Sequence, residues 1–109
     1  MDETSLRRII LDITDEMKLV ISEVYKRKFW IEWYGAFYIN PRHFVFWICF
    51  ETYDCKFKLN SNLELILRLK NLLYKYNYPK EAIDSVFIGF ESQETVDRES
   101  GGNWFQHFK

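Results

Sequence analysis

Residues 29–50 read FWIEWYGAFYINPRHFVFWICF, and the spacing within this stretch decides the fold. Ile31, Trp33, Phe37 and Ile39 alternate with Trp30, Glu32, Tyr34 and Tyr38, a period of two that predicts a β-strand with aromatic rings on both faces. Asn40-Pro41-Arg42 supplies turn residues, and proline lacks the N–H that a ladder needs. From His43 the alternation resumes. Phe44, Phe46, Ile48 and Phe50 fall on one face, and Val45, Trp47, Cys49, Glu51, Tyr53 and Cys55 on the other. The short connection predicts an antiparallel hairpin, which Phe57 and Leu59 would extend past a bulge or a bend near Asp54.

Upstream, Leu6, Ile9, Ile10, Ile13, Met17, Val20, Ile21 and Val24 recur at three- and four-residue steps, which predicts one amphipathic helix over residues 4–27. Downstream, Asn60-Ser61-Asn62 ends the hairpin, and Ser61 with Glu64 matches a capping box. Leu65, Ile66, Leu69, Leu72, Leu73 and Tyr76 form the stripe of a second helix, stopped by Asn77 and Pro79, with a short helical turn over Lys80 to Asp84. Val86 to Phe90 begins a strand, Ser100-Gly101-Gly102-Asn103 has turn chemistry, and Trp104 to Phe108 would return as its partner. The expectation is one α+β domain over residues 1–109, in the order helix-strand-strand-helix-strand-strand. Its sheet would be four-stranded and mainly antiparallel, with both helices on one face.

Phe, Tyr and Trp account for 21 of the 109 residues. A domain of this size has too much surface to hide that many rings, so some either serve as contact anchors or simply furnish the sheet. The formal charge is −1, without the basic excess of a general nucleic-acid binder. Lys26, Arg27 and Lys28 form a basic knot. Residues 81–100 carry Glu81, Asp84, Glu91, Glu94, Asp97 and Glu99 against Arg98 alone. Such a stretch is either a solvated face or a patch that steers toward a basic partner. The first twenty residues are charged throughout and no apolar run approaches spanning length, so the expectation is a cytoplasmic chain with no signal peptide and no membrane partner. Cys49 and Cys55 would lie about 20 Å apart on an extended strand, too far for a disulfide.

Catalytic chemistry finds little support. His43 and His107 have no metal-ligand spacing with the cysteines. Gly101-Gly102 lacks the residues of a phosphate loop, and carboxylates within a hydrophilic stretch are weak evidence for acid–base work. The element order is not that of an RNA-binding sheet, and an acidic hairpin would repel phosphate. The expectation is a binding protein, not an enzyme, with no catalytic residue, metal or cofactor.

The run FIGFESQETVDRE at 87–99, followed by SGGNWF at 100–105, resembles a C-terminal block of small bacterial immunity proteins from contact-dependent and other polymorphic toxin systems. The resemblance covers residues 85–109. It implies a cytoplasmic antidote that neutralises a cognate toxin domain, commonly a nuclease, by protein–protein interaction, and it carries over no contact residue. The acidic stretch and the aromatic strands supply the candidates. Glu91, Glu94, Asp97 and Glu99 would stand in for phosphates in a nuclease cleft, and Trp30, Tyr34 and Tyr38 would offer exposed rings. The same block also reads as a plain fold element, with Thr95 and Val96 sustaining a strand and Trp104 plugging the core. The alternative function is a self-associating or adaptor module whose aromatic sheet face forms a homodimer.

Overall fold

In the computed structural model, which describes residues 3–107, the apolar stripe of the first segment forms helix α1 (Glu3–Val24). It buries Leu6, Ile10, Ile13, Met17, Val20 and Ile21. The hairpin strands are β1 (Phe29–Tyr34) and β2 (Val45–Phe50), antiparallel, with Trp30 opposite Cys49 and Glu32 opposite Trp47. Their alternation sorts the sheet into two faces. Phe46, Ile48 and Phe50, with Phe29, Ile31 and Trp33, join the core beneath α1 and α3 (Leu63–Lys75). Leu65, Leu69, Leu72 and Leu73 are the buried stripe of α3. Glu16 of α1 accepts from Lys75 at 2.8 Å and from the Tyr76 hydroxyl, tying the interior of α1 to the C-terminal end of α3.

The expected four-stranded antiparallel sheet is not formed. Among the described residues, the sheet has three strands in the order β1-β2-β3, and β3 (Phe87–Ser92) runs parallel to β2, with Trp47 opposite Gly89 and Cys49 opposite Glu91. A parallel neighbour requires a crossover, and the chain from β2 to β3 supplies one through helices α2 (Tyr53–Asn60), α3 and α4 (Lys80–Ile83). The element order therefore differs from helix-strand-strand-helix-strand-strand. Beyond β3 the chain forms α5 (Gln93–Ser100) and α6 (Trp104–His107), not a second hairpin.

Each departure has a local cause. β1 stops at Tyr34 because Gly35 takes φ +127°, where a β-carbon would lie 2.0 Å from the His43 carbonyl oxygen. Residues 36–40 then close a turn through Asn40 N–H to Ala36 C=O at 3.1 Å, which inserts Phe37 into the core and leaves Ile39 exposed. β2 stops at Phe50 because the Thr52 side chain accepts the N–H of Cys55 and caps α2, so residues 53–60 coil instead of extending the strand. Asn62, not Ser61, caps α3, accepting the N–H of Leu65 at 3.0 Å. Ser92 caps α5 through the N–H of Thr95 at 3.1 Å, and Gly101 ends it in the left-handed conformation at φ +59°. Val96, expected in a strand, is a fully buried helix residue. Both cysteines are free, although Cys55 lies on a helix and the separating distance is not that of one long strand. Phe108 of the expected return strand lies outside the described residues.

Among the described residues, no helix is long and apolar enough to cross a membrane.

Candidate functional site

The sheet face turned away from α1 and α3 carries Trp30, Glu32 and Tyr34 from β1, Val45, Trp47 and Cys49 from β2, and Phe87, Gly89 and Glu91 from β3. Its two ends differ. At the end where β2 and β3 finish, Cys49 and Glu91 are buried; at the other end Tyr34 and Phe87 are exposed, Phe87 by 56%.

The closed end is a polar lock. Glu91 accepts from Lys56 of α2 at 2.8 Å, from its own chain's Ser92 N–H at 2.9 Å, and pairs with His107 Nε2 of α6 at 2.7 Å. Burial alone would push this carboxyl up. The hydrogen bonds from Lys56, His107 and Ser92 outweigh burial and hold it below its ordinary value. His107 Nδ1 lies 3.0 Å from the Ser100 hydroxyl, so one imidazole joins the ends of β3, α5 and α6. Above the lock, the Trp104 indole stands edge-on to Trp30 at 5.5 Å and donates to Gln93 at 2.7 Å. Cys49, beneath, is pushed up to about 12 by burial and by the nearby Glu32 and Glu91 carboxylates, which keeps its thiol protonated.

Serine, imidazole and carboxylate in a row invite comparison with a nucleophilic triad. The surroundings fit a lock better. Ser100 sits in the last turn of α5, where a helix directs carbonyl oxygens outward, and an oxyanion needs N–H donors. Lys56 already neutralises the carboxylate that would support an imidazolium.

The open end is aromatic. The Trp47 and Phe87 rings meet edge-to-face at 5.5 Å directly over Gly89. A β-carbon on Gly89 would come within 2.5 Å of Trp47 and 2.6 Å of Phe87, so the glycine lets both rings lie close on the strand. Tyr34 flanks them, its hydroxyl held protonated by burial and then by the charge of Glu32.

The candidates named from sequence scatter under this geometry. Glu91 is 7% exposed and internally paired, so it offers no acidic surface. Glu94 is exposed, but its carboxylate accepts the N–H of Tyr53 at 3.0 Å and stabilises the start of α2. Asp97 accepts from Gln93 at 2.8 Å and, with Glu99, is exposed on α5. Trp30 and Tyr34 do share the open-side face, Trp30 half-buried against Trp104 and Tyr34 exposed. Tyr38 is exposed in the turn after β1, off the sheet, with its ring edge-on to Phe37. Sequence reading passed over Phe87 and Gly89 because the partner strand of β3 was misassigned. It placed Trp47 on the right face without seeing its neighbours. Lys56 and His107 had no signal at all, since 35 and 16 residues separate them from Glu91. The chain matches no protein-family model, no curated protein and no solved structure.

Proposed function

We propose that this chain is a cytoplasmic binding protein of the immunity type, which neutralises a cognate toxin domain by docking it on the open end of the sheet, at Tyr34, Val45, Trp47 and Phe87. The observation that carries the reading is Phe87. A strand phenylalanine with more than half its surface exposed, paired with a tryptophan over a glycine, is unfavourable for folding alone and well suited to an interface anchor. The resemblance of the 85–109 block to immunity proteins supplies the kind of partner, although most of that block has structural work in this fold. Ser92 and Gly101 terminate α5, Glu91 locks α6, and Glu94 holds α2. Asp97 and Glu99 remain as exposed carboxylates that would steer a basic toxin surface from the adjoining α5.

The test is protection of cells that co-express the toxin domain encoded beside this chain. Trp47→Ala with Phe87→Ala should abolish protection and weaken binding by about 100-fold or more, the effect of losing a central hot spot. Unchanged affinity in a folded double variant would sink the proposal. Self-association through the same face is the second reading. Sedimentation would then show a dimer that Phe87→Glu dissociates.

A further inference from the structure

Away from that face, the chain between α1 and β1 meets α2 around a pocket of about 330 Å³ lined by Val24, Tyr25, Arg27, Cys55, Lys58 and Leu59. The volume lies at the low end of small-ligand pockets, which run from about 300 to 1,000 Å³. Its charged lining is of one sign. Arg27 donates toward the Cys55 sulfur at 3.8 Å, and the exposed Lys58 lies one helical turn along α2. Neither cation makes a salt bridge among the described residues. A concave site with two unpaired cations around a sulfur favours a small anion that reacts with sulfur.

We propose that this pocket is a thiol-modification site, in which Cys55 exchanges with a low-molecular-weight disulfide bearing carboxylate groups. Arg27 and Lys58 hold the carboxylates, and Leu59 and Val24 give the ligand an apolar wall. Cys55 loses its proton to solvent, and its thiolate attacks one sulfur of the ligand. The ligand's S–S bond breaks as the new one forms. The second sulfur leaves with the electron pair as a thiolate and takes up a proton. Cys55 is thereby oxidised and the departing half of the ligand reduced.

The electrostatics agree with the geometry. Hydrogen bonds from the Thr52 and Tyr25 hydroxyls, then the charges of Arg27 and Lys58, outweigh burial and hold the Cys55 thiol below its ordinary value. Tyr25 is itself pushed up to about 12, mainly by burial, so it remains a donor to the sulfur. Cys49 is the internal control: none of it is exposed, against 8% for the pocket-lining Cys55, and its thiol is pushed the other way.

The experiment treats the intact protein with oxidised glutathione, uncharged hydroxyethyl disulfide and cationic cystamine. Each rate is normalised to that of free cysteine with the same reagent, and the modified residue is located by peptide mass spectrometry. Modification should occur at Cys55 and spare Cys49. The normalised rate should be about tenfold higher for glutathione disulfide than for cystamine, the low end of electrostatic steering, and the preference should shrink at high salt. Arg27→Ala with Lys58→Ala, both surface positions, should remove the charge preference while hydroxyethyl disulfide still reacts. Equal normalised rates for the three disulfides, modification of Cys49 in place of Cys55, or a preference unchanged in the double variant would each overturn the proposal.

Discussion

Gly35 and Gly89 both sit where a β-carbon has no room, yet their substitution should have different consequences. At Gly35 the obstacle is backbone, the His43 carbonyl, and φ is in the region that other residues avoid. Gly35→Ala should therefore cost more than about 2 kcal/mol, from backbone strain and steric displacement together. At Gly89 the obstacles are the Trp47 and Phe87 rings on an open face, which have space to swing outward. Gly89→Ala should cost about 1 kcal/mol or less, the low end of overpacking, while changing the near-ultraviolet dichroism of the displaced tryptophan. Urea unfolding of the two variants checks the contrast. Glu91 allows a prediction in pH. Its folded-state pKa is depressed, so the stability it contributes is present above the ordinary carboxylate value and is lost as pH falls through the lowered one. Glu91→Gln leaves the half-buried Lys56 without its counter-charge, and should cost about 1–3 kcal/mol near neutrality. It should also flatten the fall in stability on acidification. A variant with the wild-type acid limb would mean that the Lys56–Glu91–His107 lock contributes nothing.

At the scale of elements, α5 is the sharpest correction to the sequence reading and can be tested directly. Ser92→Ala removes the hydroxyl that caps it and should cost about 0.5–2 kcal/mol. Backbone Cα chemical shifts over residues 53–60 and 93–100 should be displaced in the helical sense; strand-like shifts would restore the hairpins. What could be read in the sequence was whatever burial enforces periodically. The stripes of α1 and α3 and the two-residue alternation of β1 and β2 are long enough to rise above local noise, and they sorted Phe46, Ile48 and Phe50 from Val45, Trp47 and Cys49 correctly. The eight-residue helices were not legible. In α2 only Cys55 and Leu59 are buried, too short a pattern to outweigh the strand-like Tyr53 and Phe57. Around α5, Ser92 and Gly101 are helix start and stop signals that serve equally well as turn signals, and the choice is made by tertiary contacts with α2 and α6. The same limit applies to the site. Tyr34 and Trp30 were accessible because their strand was recognised, whereas the pairing of Glu91 with Lys56 depends on a parallel register that no local pattern encodes.

Across the whole molecule, the layering separates what folds the protein from the surface that the proposed function would use. One face of a three-stranded sheet is sealed by α1 and α3, and the other is sealed only where α2 and α6 lock around Glu91. Stability should therefore reside in the first layer. Ile13→Ala and Leu69→Ala, each at a fully buried aliphatic position, should cost about 2–5 kcal/mol apiece in urea unfolding. Under the proposed function, binding should reside in the open end, where Phe87 is more than half exposed and contributes less to folding than the buried aliphatic positions. Replacing Phe87, exposed by 56%, with Ser should change stability by less than about 1 kcal/mol, the loss being mainly its edge contact with Trp47. The two kinds of variant should then separate in a binding titration against the proposed toxin partner. Leu69→Ala at low temperature, where it stays folded, should keep its affinity, because the contact surface is intact. Phe87→Ser should lose affinity at almost unchanged melting temperature. Charge reversal at Asp97 and Glu99 adds a third signature, because exposed rim charges act mainly on association: a slower on-rate, a weaker salt dependence and a nearly unchanged off-rate. Glu91 does not belong in that charge reversal, since a lysine there would face Lys56 in a buried pocket and destabilise the fold. If Asp97→Lys with Glu99→Lys strongly hastened dissociation while Phe87→Ser left it unchanged, the open sheet would not be the interface. A partner seated on α5 alone would then replace the open sheet as the binding site.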